Sequence, residues 1–292
     1  MLHWDAAVMM PTGGADARAE QIAALVSLRH ELQCRTDMAD LFAAAAEDDD
    51  LSPWQAANLR EMRRGWMHAT ALPADLVEAR SKAGVACEIA WREARPKSDF
   101  AGITGLLAEV LRLETEAAEI KAEALDCTPY DALLDQYSPG IDTATVERTF
   151  AQLTEFLPDF IQAVIERQAT HPAPALPKGP FPLATQREVG MRFMAALGFD
   201  FEGGRLDVST HPFSGGTPDD LRITTRYDED DFATGLMGIL HETGHALYER
   251  GLPKDWRLAP VGTARGMDIH ESQSLLIEMQ ACRSKPFIDY AA

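Results

Sequence analysis

The sequence has no apolar run of about 18 residues, and it does not begin with a basic and then apolar leader. We therefore expect neither a membrane-spanning protein nor one exported by a signal peptide. Cysteine is also scarce. The four cysteines, Cys34, Cys87, Cys127 and Cys282, lie far apart and form no CxxC pair. This spacing argues against a disulfide framework and a cysteine-rich metal site, and it favours a reducing, cytoplasmic setting.

Positive charge is in short supply. The chain has 27 Lys and Arg against 46 Asp and Glu, which gives a formal net charge of −19 at pH 7. Such a chain repels phosphate backbones and anionic membrane surfaces, so we expect neither nucleic acid nor membranes as partners. With 292 residues, of which 46% are hydrophobic, it is long enough to bury a large core. These properties indicate a soluble globular protein.

Most of the first half has helical periodicity. Apolar residues recur at helical spacing between residues 15 and 170, for example at Ile103, Leu106 and Val110, which predicts a mainly α-helical fold. The proline-rich residues 171–182 interrupt this pattern and form the clearest internal boundary. We therefore predict a helical region over residues 1–170 and a second region over residues 171–292, both within one continuous domain.

The second region changes character between residues 198 and 231. Residues 205–210 and 220–227 alternate between apolar and polar side chains, and Gly215, Gly216 and Pro218 separate the two runs. This pattern predicts short strands of a small antiparallel sheet. The helical pattern returns at Asp231.

The strongest chemical signal is an HExxH motif, His241-Glu242-Thr243-Gly244-His245, within a helix predicted over residues 231–250. Residues four apart share one helix face, so His241 and His245 can direct imidazole nitrogens at one metal ion. Glu242 lies beside them, where its carboxylate can take a proton from water. An isolated HExxH also occurs by chance in proteins that bind no metal.

A catalytic zinc site has three protein ligands and one open position. Glu271, 26 positions after His245, is our candidate for the third ligand, because a carboxylate with HExxH is the thermolysin-like arrangement. His270 is the competing candidate. Glu271 also fits a structural role, as the N3 glutamate of a capping box with Asp268 as the N-cap.

Four motifs in order carry a resemblance to a known family. The chain resembles the carboxypeptidase Taq family of HExxH zinc metallocarboxypeptidases. The matching segments are His211-Pro212-Phe213, Asp220-Leu221-Arg222-Ile223-Thr224, the HExxH motif and His270-Glu271-Ser272-Gln273. Two further segments, at residues 3–5 and 129–135, also look like this family, so the resemblance extends over essentially the whole chain.

The resemblance implies a zincin-like, mainly helical peptidase fold with an active-site cleft, and one divalent metal, zinc, which cobalt can replace. We assign residues 171–292 as the metal-binding catalytic region, because they contain the HExxH motif. The resemblance also implies a homodimer as a possible assembly, since members of the family often form one. By position, His241, His245 and Glu271 correspond to the metal ligands of the family, and Glu242 corresponds to its catalytic glutamate. We add His211 as a candidate substrate-binding residue, together with Arg222.

The function implied is a metal-dependent carboxypeptidase that releases amino acids with broad specificity from peptides with a free C-terminus. Metal-activated water would attack, and Glu242 would be the general base. Family members begin with a further helix before residue 3 and continue well past residue 287, so we expect a chain truncated at both ends. Two alternatives stay open: an endopeptidase or oligopeptidase with the same metal site, and an inactive truncated relative that acts only as a helical binding protein.

Overall fold

The structure is a computed structural model that describes residues 1–175 and 177–292. Helices dominate it, which confirms the mainly α class, and the strands of the described residues form one small sheet. None of the described helices combines the length and the hydropathy that a bilayer span needs. The elements are α1 (Leu2–Val8), α2 (Ala15–Gln33), α3 (Met38–Ala46), α4 (Pro53–Thr70), α5 (Ala74–Ala94), α6 (Thr104–Leu125), α7 (Pro129–Leu134), α8 (Thr143–Ala169), α9 (Leu183–Ala196), β1 (Gly204–Val208), β2 (Phe213–Thr217), β3 (Asp220–Thr225), α10 (Phe232–Gly251), α11 (Met267–Leu275) and α12 (Lys285–Ala291).

The chain divides into two units. The first unit combines Met1–Val26 with Thr154–Ala292, and the second unit is Ser27–Leu153. The changes from one unit to the other fall within α2 and α8. The functional division predicted at residue 170 stays a prediction.

The second unit is entirely helical in the described residues. A capping box starts α4: Ser52 Oγ accepts from the Gln55 backbone, and Gln55 Oε1 accepts from the Ser52 backbone. Its core includes Leu76 of α5 and Leu113 of α6. Lys121 of α6 is also buried, and its Nζ donates to Gln136 Oε1 at 2.7 Å. Burial lowers the pKa of Lys121 to about 8.

The sheet of the first unit is mixed, which corrects the predicted antiparallel arrangement. Its order is β1-β3-β2; β1 runs parallel to β3, and β2 runs antiparallel to it. Gly215 and Gly216, which we expected to separate strands, lie inside β2. A strand with two central glycines has no alternation of apolar and polar side chains, so periodicity did not predict it.

Thr224 holds the connection from β1 to β2 against the end of β3. Its Oγ1 accepts from Ser209 Oγ at 2.7 Å and from the Phe213 backbone N–H at 3.0 Å. The segment between β1 and β2 therefore passes over the end of β3, and the chain enters β2 at the opposite edge of the sheet from β1.

The core of the first unit lies between the sheet and two helices. Leu221 and Ile223 of β3 pack in one cluster with Met194 of α9 and with Ile239 and Ala246 of α10. Because successive side chains of a strand point to opposite faces, these apolar residues fix one face of β3 against α10. The packing therefore holds α10, which carries the HExxH motif, directly against the sheet.

Candidate metal centre

The helix α10 begins where the sequence predicted. Asp231 is its N-cap, and its Oδ1 accepts from the backbone N–H groups of Ala233 and Thr234 at 2.9 and 3.2 Å. His241 and His245 follow one turn apart, with their ring centroids 4.9 Å from each other. Both imidazoles therefore lie on the same face of the helix, as the spacing of the motif predicted.

The helix α11 brings Glu271 to these two histidines. It begins at Met267 after Gly266, and no side chain caps it. Glu271 therefore lies in the middle of α11, and the capping-box interpretation with Asp268 is wrong. The segment His270-Glu271-Ser272-Gln273 lies entirely within this helix.

Three ligand atoms converge between α10 and α11. His241 Nε2 lies 3.7 Å from Glu271 Oε1, and His245 Nε2 lies 3.3 Å from Glu271 Oε2. One ligand atom from each of the three residues lies within 4.8 Å of the others. In a tetrahedral site with metal–ligand distances of ~2.0–2.1 Å, two ligand atoms are separated by about 3.3 Å. Two imidazoles and one carboxylate therefore fit a divalent ion such as zinc in chemistry and in spacing.

The other ring nitrogens of the two histidines also have partners. His241 Nδ1 lies 3.0 Å from Glu278 Oε2, and His245 Nδ1 lies 2.6 Å from His270 Nδ1. Glu278 belongs to a π-helical segment, Leu276–Ala281, that directly continues α11. These contacts leave the Nε2 atoms directed at Glu271. Sequence reasoning missed Glu278; its only signal was the seven-residue spacing from Glu271, which places both on one helix face.

The surroundings of the site favour the neutral form of His245 and raise the pKa of Glu242. Burial, followed by the nearby His270 and His241, lowers the pKa of His245 to about 4, so its imidazole is neutral at pH 7. Burial also raises the pKa of Glu242, while charge on His241 and a hydrogen bond from Ser214 act in the opposite direction. A buried glutamate with a raised pKa is better suited to accept and return a proton than an exposed one.

Two cavities meet at Glu242. The first, of about 430 Å³, is lined by β2 residues including Ser214 and by His245. The second, of about 510 Å³, is lined by His241 and Glu278 among others. His211 borders both cavities, as does Glu242. The site is therefore reachable from two sides, and the side chain of Glu271 is itself 44% exposed.

Arg222 does not join this group. Its guanidinium donates to both carboxylate oxygens of Asp220 at 2.8 and 2.9 Å, and it lies 4.6 Å from the ring centroid of Trp4. Since Leu221 and Ile223 face α10, the strand alternation directs Arg222 to the other face of the sheet. His270 is likewise absent from the three-residue group, because its two ring nitrogens contact His245 and Glu249.

Comparison with known sequences gives one family for the whole chain. Residues 1–292 match the family described as carboxypeptidase Taq (M32) metallopeptidase. The chain is 37% identical to thermostable carboxypeptidase 1 of Thermus thermophilus, over 97% of this chain and 58% of that protein. It is 33% identical to carboxypeptidase 1 of Bacillus subtilis, over 98% of this chain and 57% of that protein.

Solved structures give the same result. Metallocarboxypeptidase 1 of Trypanosoma cruzi superposes with a TM-score of 0.90 at 40% identity, over 97% of this chain and 57% of that one. The Pyrococcus furiosus carboxypeptidase structure described as Apo-Mg has a TM-score of 0.90 at 32% identity, over 99% of this chain and 58% of that one. The chain thus spans somewhat more than half the length of the relatives it matches. It belongs to the carboxypeptidase Taq (M32) family of metallopeptidases.

Proposed function

We propose that this chain carries the metal centre of a zinc carboxypeptidase that releases single residues from peptides with a free C-terminus. The observation that carries the proposal is the convergence of His241, His245 and Glu271 from two helices, with Glu242 beside them. Membership of a metallopeptidase family supports the same chemistry. Zinc is the proposed metal because two imidazoles and a carboxylate suit it, and cobalt is the proposed substitute.

His241, His245 and Glu271 would hold the ion. When bound, the metal supplies Lewis-acid polarisation of the scissile carbonyl and activation of a water molecule. Glu242 would act as general base, take a proton from the attacking water and pass it to the leaving amine. Glu242 is buried, with 6% of the residue exposed, and it borders both cavities, so it is shielded from bulk water and still within reach of a peptide.

The strand β2 offers an edge along which a peptide substrate could align. It lies at one edge of the sheet in the described residues, and its residues line the cavity that Glu242 also borders. An extended peptide can add to such an edge through backbone hydrogen bonds. His211, at the junction of the two cavities, is the proposed substrate contact. Arg222 has no place in this proposal because it faces away from α10.

The setting that we propose is the reducing cytoplasm. The four cysteines are free thiols. Burial raises the pKa values of Cys34 and Cys127, so neither is an activated thiolate. The homodimer implied by the family resemblance stays a prediction.

Product analysis tests the proposed activity. The chain is loaded with Zn²⁺ and incubated with a peptide that has a free C-terminus and with the same peptide carrying a C-terminal amide, and mass spectrometry follows the products. We expect stepwise loss of C-terminal residues from the free peptide and no cleavage of the amide. Internal cuts, or equal cleavage of the amide, would instead indicate an endopeptidase or oligopeptidase. A folded, metal-loaded chain that cleaves neither peptide would contradict the proposal.

A further inference from the structure

His270 connects two residues of α10. Its Nδ1 lies 2.6 Å from His245 Nδ1, and its Nε2 lies 2.8 Å from Glu249 Oε1. His245 and Glu249 are four residues apart and so occupy one face of α10, while His270 reaches both from α11. The three side chains form a continuous row of hydrogen bonds that ends on a carboxylate.

The row is well enclosed. The side chains of His245 and His270 are 10% and 13% exposed, and that of Glu249 is 29% exposed. The ring of Tyr248 packs edge-on against His270, with the ring centroids 5.2 Å apart. Packing therefore holds the imidazole of His270 in one orientation, with each nitrogen facing a single partner.

Proton positions along the row follow from simple rules. An imidazole that binds a metal through Nε2 carries its proton on Nδ1. His245 must then donate from Nδ1, so His270 must accept at its own Nδ1 and carry its proton on Nε2. An ionised carboxylate only accepts, so Glu249 favours this tautomer of His270 over the other. If His270 carried a proton on Nδ1, two N–H groups would face each other at 2.6 Å.

We propose that His270 and Glu249 are positioning residues, which together fix the orientation and tautomer of His245 for metal binding. This inference rests on the proposed metal centre. His270 would then serve the metal from the second coordination sphere, although it was the competing candidate for a direct ligand. The two histidine ligands would be oriented in different ways. His241 contacts the carboxylate of Glu278 directly, whereas His245 reaches that of Glu249 through His270.

Zinc affinity tests the proposal without reference to activity. The full chain and its variants are titrated with Zn²⁺ in competition with a chromophoric chelator, and circular dichroism checks the fold of each. We expect His270→Ala and Glu249→Ala to weaken zinc binding by about 10–100-fold. His270→Asn should regain part of the affinity, because its side-chain oxygen can accept near the position of Nδ1. The visible spectrum of bound Co²⁺ should shift in the alanine variants and return toward wild type in His270→Asn.

Two controls separate the possible failures. Glu188→Ala removes an exposed glutamate of α9 whose partner is Arg192, so it should bind zinc as wild type does. His241→Ala should lose zinc. If His241→Ala loses zinc while the variants at His270 and Glu249 keep wild-type affinity, the positioning proposal is overturned and the metal centre stands. An equal loss in His270→Ala and His270→Asn would also overturn it. If wild type binds no zinc, the metal centre itself is wrong.

Discussion

A Cβ atom on Gly244 would lie 2.6 Å from the Cα of Ser274, so α10 and α11 touch backbone to backbone at this point. Gly244 is the fourth residue of the HExxH motif and lies between the two histidines. The close contact sets how near α11 comes to α10, and therefore how near Glu271 comes to both imidazoles. The absence of a side chain at Gly244 therefore allows the close spacing of the candidate metal centre.

Gly244→Ala should weaken zinc binding and lower stability together. The added methyl group also meets Gln273 O at 2.6 Å, so the two helices must separate. Overpacking of this kind costs about 1–3 kcal/mol. Thermal unfolding and zinc titration measure the two effects. Gly251→Ala on the same helix is the control, because nothing lies within 4 Å of its added Cβ. Wild-type zinc affinity in Gly244→Ala would contradict this account of the helix contact.

Glu242→Gln should leave zinc binding unchanged and strongly reduce peptide hydrolysis. The amide has the shape of the carboxylate but cannot take a proton from water, and Glu242 is not among the three converging ligand residues. We expect unchanged zinc affinity and a loss of at least about 100-fold in the rate of peptide hydrolysis. The variant is assayed beside wild type at equal zinc occupancy. Hydrolysis at a rate near wild type would show that another group is the base.

Arg222→Ala should affect the fold and leave the metal centre intact. The guanidinium packs over Trp4 and binds Asp220 on the face of the sheet away from α10. We expect a lower midpoint of thermal unfolding and wild-type zinc affinity. The measurement is a melting curve paired with a zinc titration. A large loss of zinc affinity in a folded Arg222→Ala protein would restore this residue to the site, as the motif alone had suggested.

Lys121→Met should stabilise the chain at neutral pH and change its pH dependence. Burial lowers the pKa of Lys121 from 10.5 to about 8, so folding at pH 7 buries an unfavourable charge. Between pH 8 and 10.5 the unfolded chain keeps a proton that the folded chain has released, so wild-type stability rises with pH in that window. The advantage of Lys121→Met is therefore largest below pH 8, on the order of 3 kcal/mol, and disappears toward pH 10.5.

Urea unfolding at pH 7 and at pH 9.5 measures this difference. Lys82→Met is the control, because the Lys82 side chain is 74% exposed and its charge stays in water. We expect the control to show little change at either pH. If Lys121→Met raised the free energy of unfolding by the same amount at both pH values, the folded and unfolded chains would hold this proton equally.

The parts of the site that depend on local spacing could be predicted from the sequence. The start of α10 at Asp231 and the shared face of His241 and His245 follow from capping chemistry and helical periodicity. Glu271 was identified from the chemistry of zinc ligands and from family resemblance, and its contacts with both histidines agree with that choice.

The parts that depend on packing could not be predicted. The pairing of His270 with Glu249 requires the register of α11 on α10, which the backbone contact at Gly244 sets. The face of β3 on which Arg222 lies depends on which neighbours bury the strand. The strand β2 was missed because Gly215 and Gly216 contribute no side-chain pattern. In each case the deciding interaction joins residues that are distant in sequence or lack a side chain.

Metal content per folded chain is the most direct test of the central claim. The protein is purified without a histidine tag, supplied with Zn²⁺, freed of excess metal and analysed by elemental mass spectrometry beside His241→Ala. The account predicts one zinc per wild-type chain and its loss in the variant. A well-folded wild-type chain that retains no zinc, or a His241→Ala chain that retains as much as wild type, would contradict it.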